Sequence, residues 1–342
     1  MIFSGGLGDT LLYVPLLKEL KKKQFHITTL FFSADENDCL FDRNLYDRKV
    51  HIRSKAGLLC YAIKNTLHFA NFYVNHLAGG RLTALAARIC SARTTRCGEP
   101  QSDHTRRIRS VPVVSSLTYA EQNLNLLFTA ANARIKDIRN FQFEDPELNA
   151  GLINALPISV STPYFIVQVS SGNNRTPFKN WPITSWIALL QRATADFKDL
   201  HFLVIGDATE IVYLEQLSRL QSANCNILIG KTSVSQVFNL LAGSNGYIGL
   251  DSGIMHMAVA LKKRTVSIFG ASNDKLLAYN LLDPDGHAVI TAPIYCRPCS
   301  SWKNANTSRV TNPLLCPDYA CLNNISVETV YQTITDHFGL SR

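Results

Sequence analysis

The sequence has no apolar run near the ~18 residues that a membrane-spanning helix needs, so no transmembrane segment is expected. Its N-terminus lacks the basic-then-apolar order of a secretory signal, because a glycine turn comes almost at once. There is no internal repeat and no low-complexity tract. Charged residues are sparse, at 18%, against 46% hydrophobic residues, which is a globular and not a disordered composition. No G-x-G-x-x-G follows a strand with an acid about twenty residues on, which disfavours an NAD-dependent oxidoreductase. These absences leave a globular protein with a cytoplasmic expectation.

What is present starts with size. At 342 residues the chain is long for one core, and two domains are the natural prior. The formal charge of +8 suits an acidic ligand, an anionic membrane surface or nucleic acid. The basic residues are scattered, with only "LKKKQ" (20–24) and "RRIR" (106–109) dense, so nucleic acid is not expected. The nine cysteines are an odd number, and in a reducing compartment they are free thiols or metal ligands.

Along the first half, "MIF" reads as a very short strand and residues 8–23 as one amphipathic helix. "HITTLFF" (26–32) and "SVPVVSS" (110–116) read as strands, 57–90 as mostly helical, and 119–133 as a helix. Three prolines and little periodicity across 141–163 place a linker near 150–162. This divides the chain into domains 1–155 and 156–342. The second half alternates strand and helix from 164 to 270, with a helix expected over 208–222. Such alternation builds a parallel sheet with helices on both faces. Ligands of these sheets sit at the carboxyl ends of the strands. Those ends are Ser170, Ser171, Gly206, Asp207, Asp251, Ser252 and Gly270.

Three motifs carry candidate chemistry. In "SGGLGDTLLYVP" (4–15), Gly5, Gly6 and Gly8 permit a sharp turn and a close backbone approach. Asp9 then stands at a helix entrance, either as an N-cap or as a functional acid. In "LDSGIMHMAVAL" (250–261), Asp251 ends a strand while Ser252 and Gly253 open a helix whose N–H groups suit a phosphate. His256 lies one turn up the same face, as a ligand group or a satisfied core residue. In "SSGNNRTPFKNWP" (170–182), Lys179 lies beyond a strand end, where it can neutralise a diphosphate or simply be exposed. Separately, Cys296 and Cys299 form a C-x-x-C pair, and Cys316 and Cys321 a looser C-x4-C pair. Two close pairs can surround one tetrahedral metal, zinc by default or iron, so a structural metal is expected there.

G-x-G-D with Pro15, K-x-W-P at 179–182 and D-S-G-x-M-H-x-A-x-A-L at 251–261 together resemble glycosyltransferase family 9, the ADP-heptose:lipopolysaccharide heptosyltransferases. The resemblance implies an α/β GT-B fold, with two Rossmann-like domains of parallel sheets facing across a cleft. It implies an inverting glycosyltransferase with no catalytic metal, taking an ADP-sugar in the C-terminal half and an acceptor in the N-terminal half. Asp9 matches the family's base and Lys179 its diphosphate lysine. Asp251, Ser252, Gly253 and His256 match the donor motif. Ser170 and Ser171 fall near the phosphates, Gly8 in the opening turn, and either Asp207 or Glu210 at the nucleoside. The implied partners are a nucleotide-sugar donor and a lipopolysaccharide core, other glycan or protein acceptor, with peripheral contact at the inner membrane face. Other readings are transfer of a different activated sugar and non-catalytic binding of a nucleotide-sugar.

Overall fold

The computed structural model describes residues 2–3, 7–31, 42–74, 81–97, 108–111, 117–127, 133–149, 151–154, 163–171, 176–220, 222–299 and 313–341. The chain divides into two compact units, Met1–Glu147 and Leu148–Arg342.

The first unit runs β1 (Ile2–Phe3), α1 (Leu7–Leu11), α2 (Val14–Lys22), β2 (Thr28–Phe31), β3 (Arg48–His51), α3 (Lys55–Lys64), β4 (Phe69–Val74), α4 (Arg81–Cys90), β5 (Ser91–Cys97), β6 (Ile108–Val111) and α5 (Tyr119–Leu124). Its strands form two parallel three-stranded sheets, β1-β2-β3 and β4-β5-β6. The helix expected over 8–23 is broken at Leu12–Tyr13, and Pro15 sits in the first turn of α2. A proline there has no N–H to lose and already holds a helical φ, so it starts a helix better than it continues one. The expectation of mostly helix over 57–90 missed β4, which separates α3 from α4.

Leu30, Ile52, Leu58, Phe72, Ala86 and Ala87 form one buried core of this unit. An apolar cavity of about 100 Å³ lies beside it, lined by Ile27, Thr28 and Leu30 and by the β4 residues from Phe69 to Tyr73. Asp42 is fully buried and ties the end of the unit to its start. Its carboxylate accepts from the backbone N–H groups of Asn44, Glu144 and Asp145 at 2.9, 2.6 and 2.6 Å.

The second unit runs α6 (Gly151–Asn154), β7 (Tyr164–Gln168), α7 (Ile183–Asp196), β8 (His201–Ile205), α8 (Leu214–Leu217), β9 (Cys225–Ile227), α9 (Val234–Gly243), β10 (Gly246–Leu250), α10 (Gly253–Ala260), β11 (Thr265–Ile268), α11 (Asp274–Leu277), β12 (His287–Ile290), α12 (Ala320–Asn323) and α13 (Val327–Phe338). Six parallel strands lie in the order β12-β11-β10-β7-β8-β9. Every residue of β7, β10 and β11 is buried, as expected where helices cover both faces of a parallel sheet.

Over 208–222 the expected helix is only a 3-10 turn at Ala208–Tyr213 followed by the short α8. Ile211 and Val212 are exposed there, so the segment lacks the buried apolar stripe that sustains a longer helix. The core centres on Trp181 and Trp186, whose rings meet edge to face at 5.1 Å. Trp181 Nε1 donates to Ile325 O at 3.1 Å and ties the turn before α13 to the sheet's helical layer.

Candidate active site

Strand order in the second unit starts at β7 and grows outward on both sides, so it reverses between β7 and β10. In doubly wound sheets the ligand crevice opens at this reversal, beyond the carboxyl ends of the two central strands. Here those ends are Gln168 with Ser170 and Ser171, and Asp251 with Ser252. Ser252 caps α10, accepting from Met255 N at 3.4 Å. Its hydroxyl also donates to Gln168 Oε1 at 2.5 Å, and the Tyr247 hydroxyl donates to the same oxygen at 2.8 Å. The Ser252 side chain is thus committed to building the helix entrance. What the entrance offers an anion is the free backbone N–H groups of the first turn of α10 and its partial positive charge.

Lys179 ends the 3-10 turn Pro177–Lys179 and reaches this entrance. Its ammonium lies 2.7 Å from Asp251 Oδ2, with the two side chains 14% and 3% exposed. Burial pushes the Asp251 carboxyl up. The Lys179 charge and hydrogen bond, with Ser272 and His256, outweigh that and hold it below the usual carboxylate range. The buried Ser272 hydroxyl stands close enough to stabilise that charge without meeting the geometry of a hydrogen bond. His256 Nδ1 lies 2.7 Å from the Tyr279 hydroxyl. Burial pushes its imidazole down to about 4, so it is neutral at neutral pH, with Asp251 pulling the other way.

Other expected residues fall around this centre. Ser170 is fully buried, and its hydroxyl has no hydrogen-bond partner. Ser171 braces the adjoining loop, its N–H donating to Asn180 Oδ1 at 2.9 Å; residues 172–175 of that loop lie outside the described residues. Asp207 caps the 3-10 turn and accepts from Thr209 N at 2.6 Å, while buried Glu210 folds back to accept from Asp207 N at 3.2 Å. Only glycine at 206 allows this, since a Cβ there would stand 2.1 Å from Glu210 Oε2.

Gly206, Asp207 and Glu210 line a cavity of about 180 Å³ with Gln168, Ile205, Thr232, Val234, Val237 and Ile254. Its walls are mostly apolar with a few convergent polar groups, the usual lining of a small-molecule site. Within it the Thr232 hydroxyl is buried and unpartnered. Gln168, Thr232, Tyr247 and Tyr279 were missed from sequence, because single polar or aromatic residues at strand ends and loops carry no motif.

In the first unit, Asp9 is the third residue of α1 and half-buried, a first-turn acid and not the N-cap. Gly8 lies within the helix, and Gly5 and Gly6 lie outside the described residues.

The expectation of a four-cysteine zinc or iron site is not supported. Among the described residues no group of His, Cys, Asp or Glu is placed to hold a metal ion. The thiols are near enough for their charges to interact, but they serve as small apolar side chains and donors. Cys321 belongs to the main core and Cys299 packs on Phe178 and Ala271, while Cys316 Sγ donates to Asp318 Oδ1 at 3.7 Å. Burial pushes the Cys321 thiol up to about 12, which favours the neutral form. Residues 300–312, between the two pairs, lie outside the described residues.

Residues 105–308 match the model of glycosyltransferase family 9 (heptosyltransferase). Lipopolysaccharide heptosyltransferase 2 of Escherichia coli strain K12 is 27% identical over 119 residues; the matched stretch spans 34% of this chain and 34% of that relative. The structure of E. coli ADP-heptose LPS heptosyltransferase II superposes with a TM-score of 0.73 at 17% identity, covering 98% of this chain and 97% of that one. A family 9 glycosyltransferase from Veillonella parvula DSM 2008 gives 0.74 at 16% identity, covering 99% and 96%. The shared architecture is the α/β fold of the GT-B class.

Proposed function

The chain belongs to glycosyltransferase family 9, and we propose that it transfers a heptose from ADP-heptose, with inversion, to a lipopolysaccharide core acceptor. That it is a glycosyltransferase follows from the family; the donor, the acceptor and the residue roles are our reading. The observation that carries it is the Lys179–Asp251 pair at the entrance of α10, at the point where the strand order reverses. The E. coli lipopolysaccharide heptosyltransferase, matched both by sequence and by its solved structure, supports the sugar and acceptor by name.

In this reading the adenosine end of the donor occupies the cavity beside Gly206, Glu210 and Thr232. Its diphosphate lies against the first-turn amides of α10, with Lys179 turning from Asp251 toward it. Asp251 keeps the lysine in place before the donor arrives. Ser170, Gly253 and His256 complete the wall of the diphosphate site. Asp9, from the first unit, takes the proton of the acceptor hydroxyl as that oxygen attacks the anomeric carbon. The bond from that carbon to the diphosphate breaks, and the growing negative charge is met by Lys179 and the helix amides. The net charge of +8 suits an acceptor held at an anionic membrane surface, and no described helix is long and apolar enough to cross one.

Turnover of ADP-heptose against other ADP- and UDP-sugars tests the donor. Preference for ADP-heptose, with weaker ADP binding and slower transfer in Lys179→Ala, is expected. Binding of ADP without transfer from any nucleotide-sugar to any acceptor would point to a binding protein instead.

A further inference from the structure

Arg297 stands between Cys296 and Cys299, in a loop that the proposed chemistry does not use. Its side chain is only 10% exposed. Nε donates to Gly270 O at 2.8 Å, and Nη2 donates to Ser272 O at 3.2 Å and to Asp274 Oδ1 at 3.1 Å. All three acceptors belong to one segment, residues 270–274, which leaves β11 and enters α11. A guanidinium presents its donors in fixed directions within a plane, so it holds a loop in one shape as an ammonium cannot. The backbone adds a fourth tie, Cys299 N to Ala271 O at 2.9 Å.

That segment meets the Lys179–Asp251 pair from both sides. Ala271 packs with Phe178, the neighbour of Lys179, and with Cys299 in a small apolar cluster. The approach is tight, since a Cβ on Gly270 would stand 2.8 Å from Phe178 O. On the other side Ser272, fully buried, stabilises the Asp251 carboxylate. The backbone of Asp251 is joined to the strand before the segment, its N–H donating to Ile268 O at 3.2 Å.

We propose that Arg297 is a positioning residue for the donor site, setting the Lys179–Asp251 pair by fixing the 270–274 segment between them and the cysteine loop. This rests on the reading of Lys179 and Asp251 as the diphosphate site. It gives the cysteine-rich loop a task that needs no metal: its residues wall in and brace the loop that carries Ser272.

The test uses the full-length enzyme with Arg297→Met, Arg297→Lys, Lys179→Ala and the double variant Arg297→Met/Lys179→Ala. Turnover with the nucleotide-sugar and hydrogen exchange at the amides of 251 and 270–274 are measured on each. Arg297→Met is expected to lose turnover on the order of 10²-fold, the scale for misplacing a positioned group by about 1 Å. Arg297→Lys, which keeps the charge without the fork, should recover part of it. The double variant should be no slower than Lys179→Ala alone, because both changes act on one group. Exchange at 251 and 270–274 should rise in Arg297→Met whatever the role of Lys179. Multiplying losses in the double variant, a lower melting temperature with wild-type turnover, or unchanged exchange would each overturn the proposal. Wild-type turnover in Lys179→Ala with raised exchange in Arg297→Met would instead overturn the donor-site reading alone.

Discussion

Mild acid should weaken the second unit. His256 and His287 are 5% and 4% exposed, and burial pushes both imidazoles down to about 4. Unfolded, each titrates near the ordinary 6.5. Between these values the unfolded chain binds protons that the folded unit refuses, so stability is full above pH 6.5 and is lost as pH falls toward 4. Linkage with those two values gives a loss of about 2 kcal/mol per histidine at pH 5 relative to pH 7.5, or about 4 kcal/mol together. That is a large share of the roughly 5–15 kcal/mol that holds a domain folded.

The groups facing these rings do not cancel the effect. Asp251 pulls the His256 value up and Lys179 pulls it down; Asp283 raises His287 and His337 lowers it. Asp251, held below the usual carboxylate range, stays ionised throughout the window. The assay is urea unfolding followed by tryptophan fluorescence, because all three tryptophans of the chain fall in the second unit. The free energy at pH 5 should be about 4 kcal/mol below that at pH 7.5, and His287→Gln should cut the difference to about 2 kcal/mol. A flat profile between pH 7.5 and 5, or an unchanged difference in His287→Gln, would show that the buried histidines do not set the acid sensitivity of this unit.

Asp9→Asn should leave ADP affinity intact and slow transfer by roughly 10²–10⁴-fold, the scale for a positioned base; wild-type turnover would remove Asp9 from the mechanism. Asp42→Ala should destabilise the first unit by about 3 kcal/mol, since three backbone N–H groups lose their acceptor, as read by denaturation under circular dichroism. Gly270→Ala should cost about 1–3 kcal/mol in urea unfolding, because its Cβ would press on Leu322 and on the Phe178 carbonyl, which is backbone and cannot turn away.

The parts of the second unit that could be read from sequence are those whose burial writes a pattern. β7 and β10 are almost wholly apolar because both faces are covered, and Ser252 before an apolar helix is a capping residue in plain view. β5 was missed because "SARTTRC" draws its order from parallel partners on both sides and not from an apolar run of its own. β12 and α13 lie past the last alternating segment, and α13 holds several β-branched residues that weaken the helical signal while Val330, Tyr331 and Ile334 still pack inward.

The site divides the same way. Lys179 and Asp251 were each visible at a strand end, but their pairing spans 72 residues and belongs to the fold. Gln168 and Tyr279 act through contacts that no spacing announces. Two close cysteine pairs read as a ligand set, while among the described residues Cys299 packs against Phe178 and Cys321 in the main core.

In the proposed function the second unit binds a nucleoside diphosphate at the carboxyl ends of β7 and β10. A crystal structure of the protein soaked with ADP tests it directly. The diphosphate is expected against the first turn of α10, within hydrogen-bond reach of its backbone N–H groups and of Lys179, with the adenosine beside Gly206 and Thr232. ADP bound anywhere else on the chain, with the Lys179–Asp251 pair undisturbed, would contradict it.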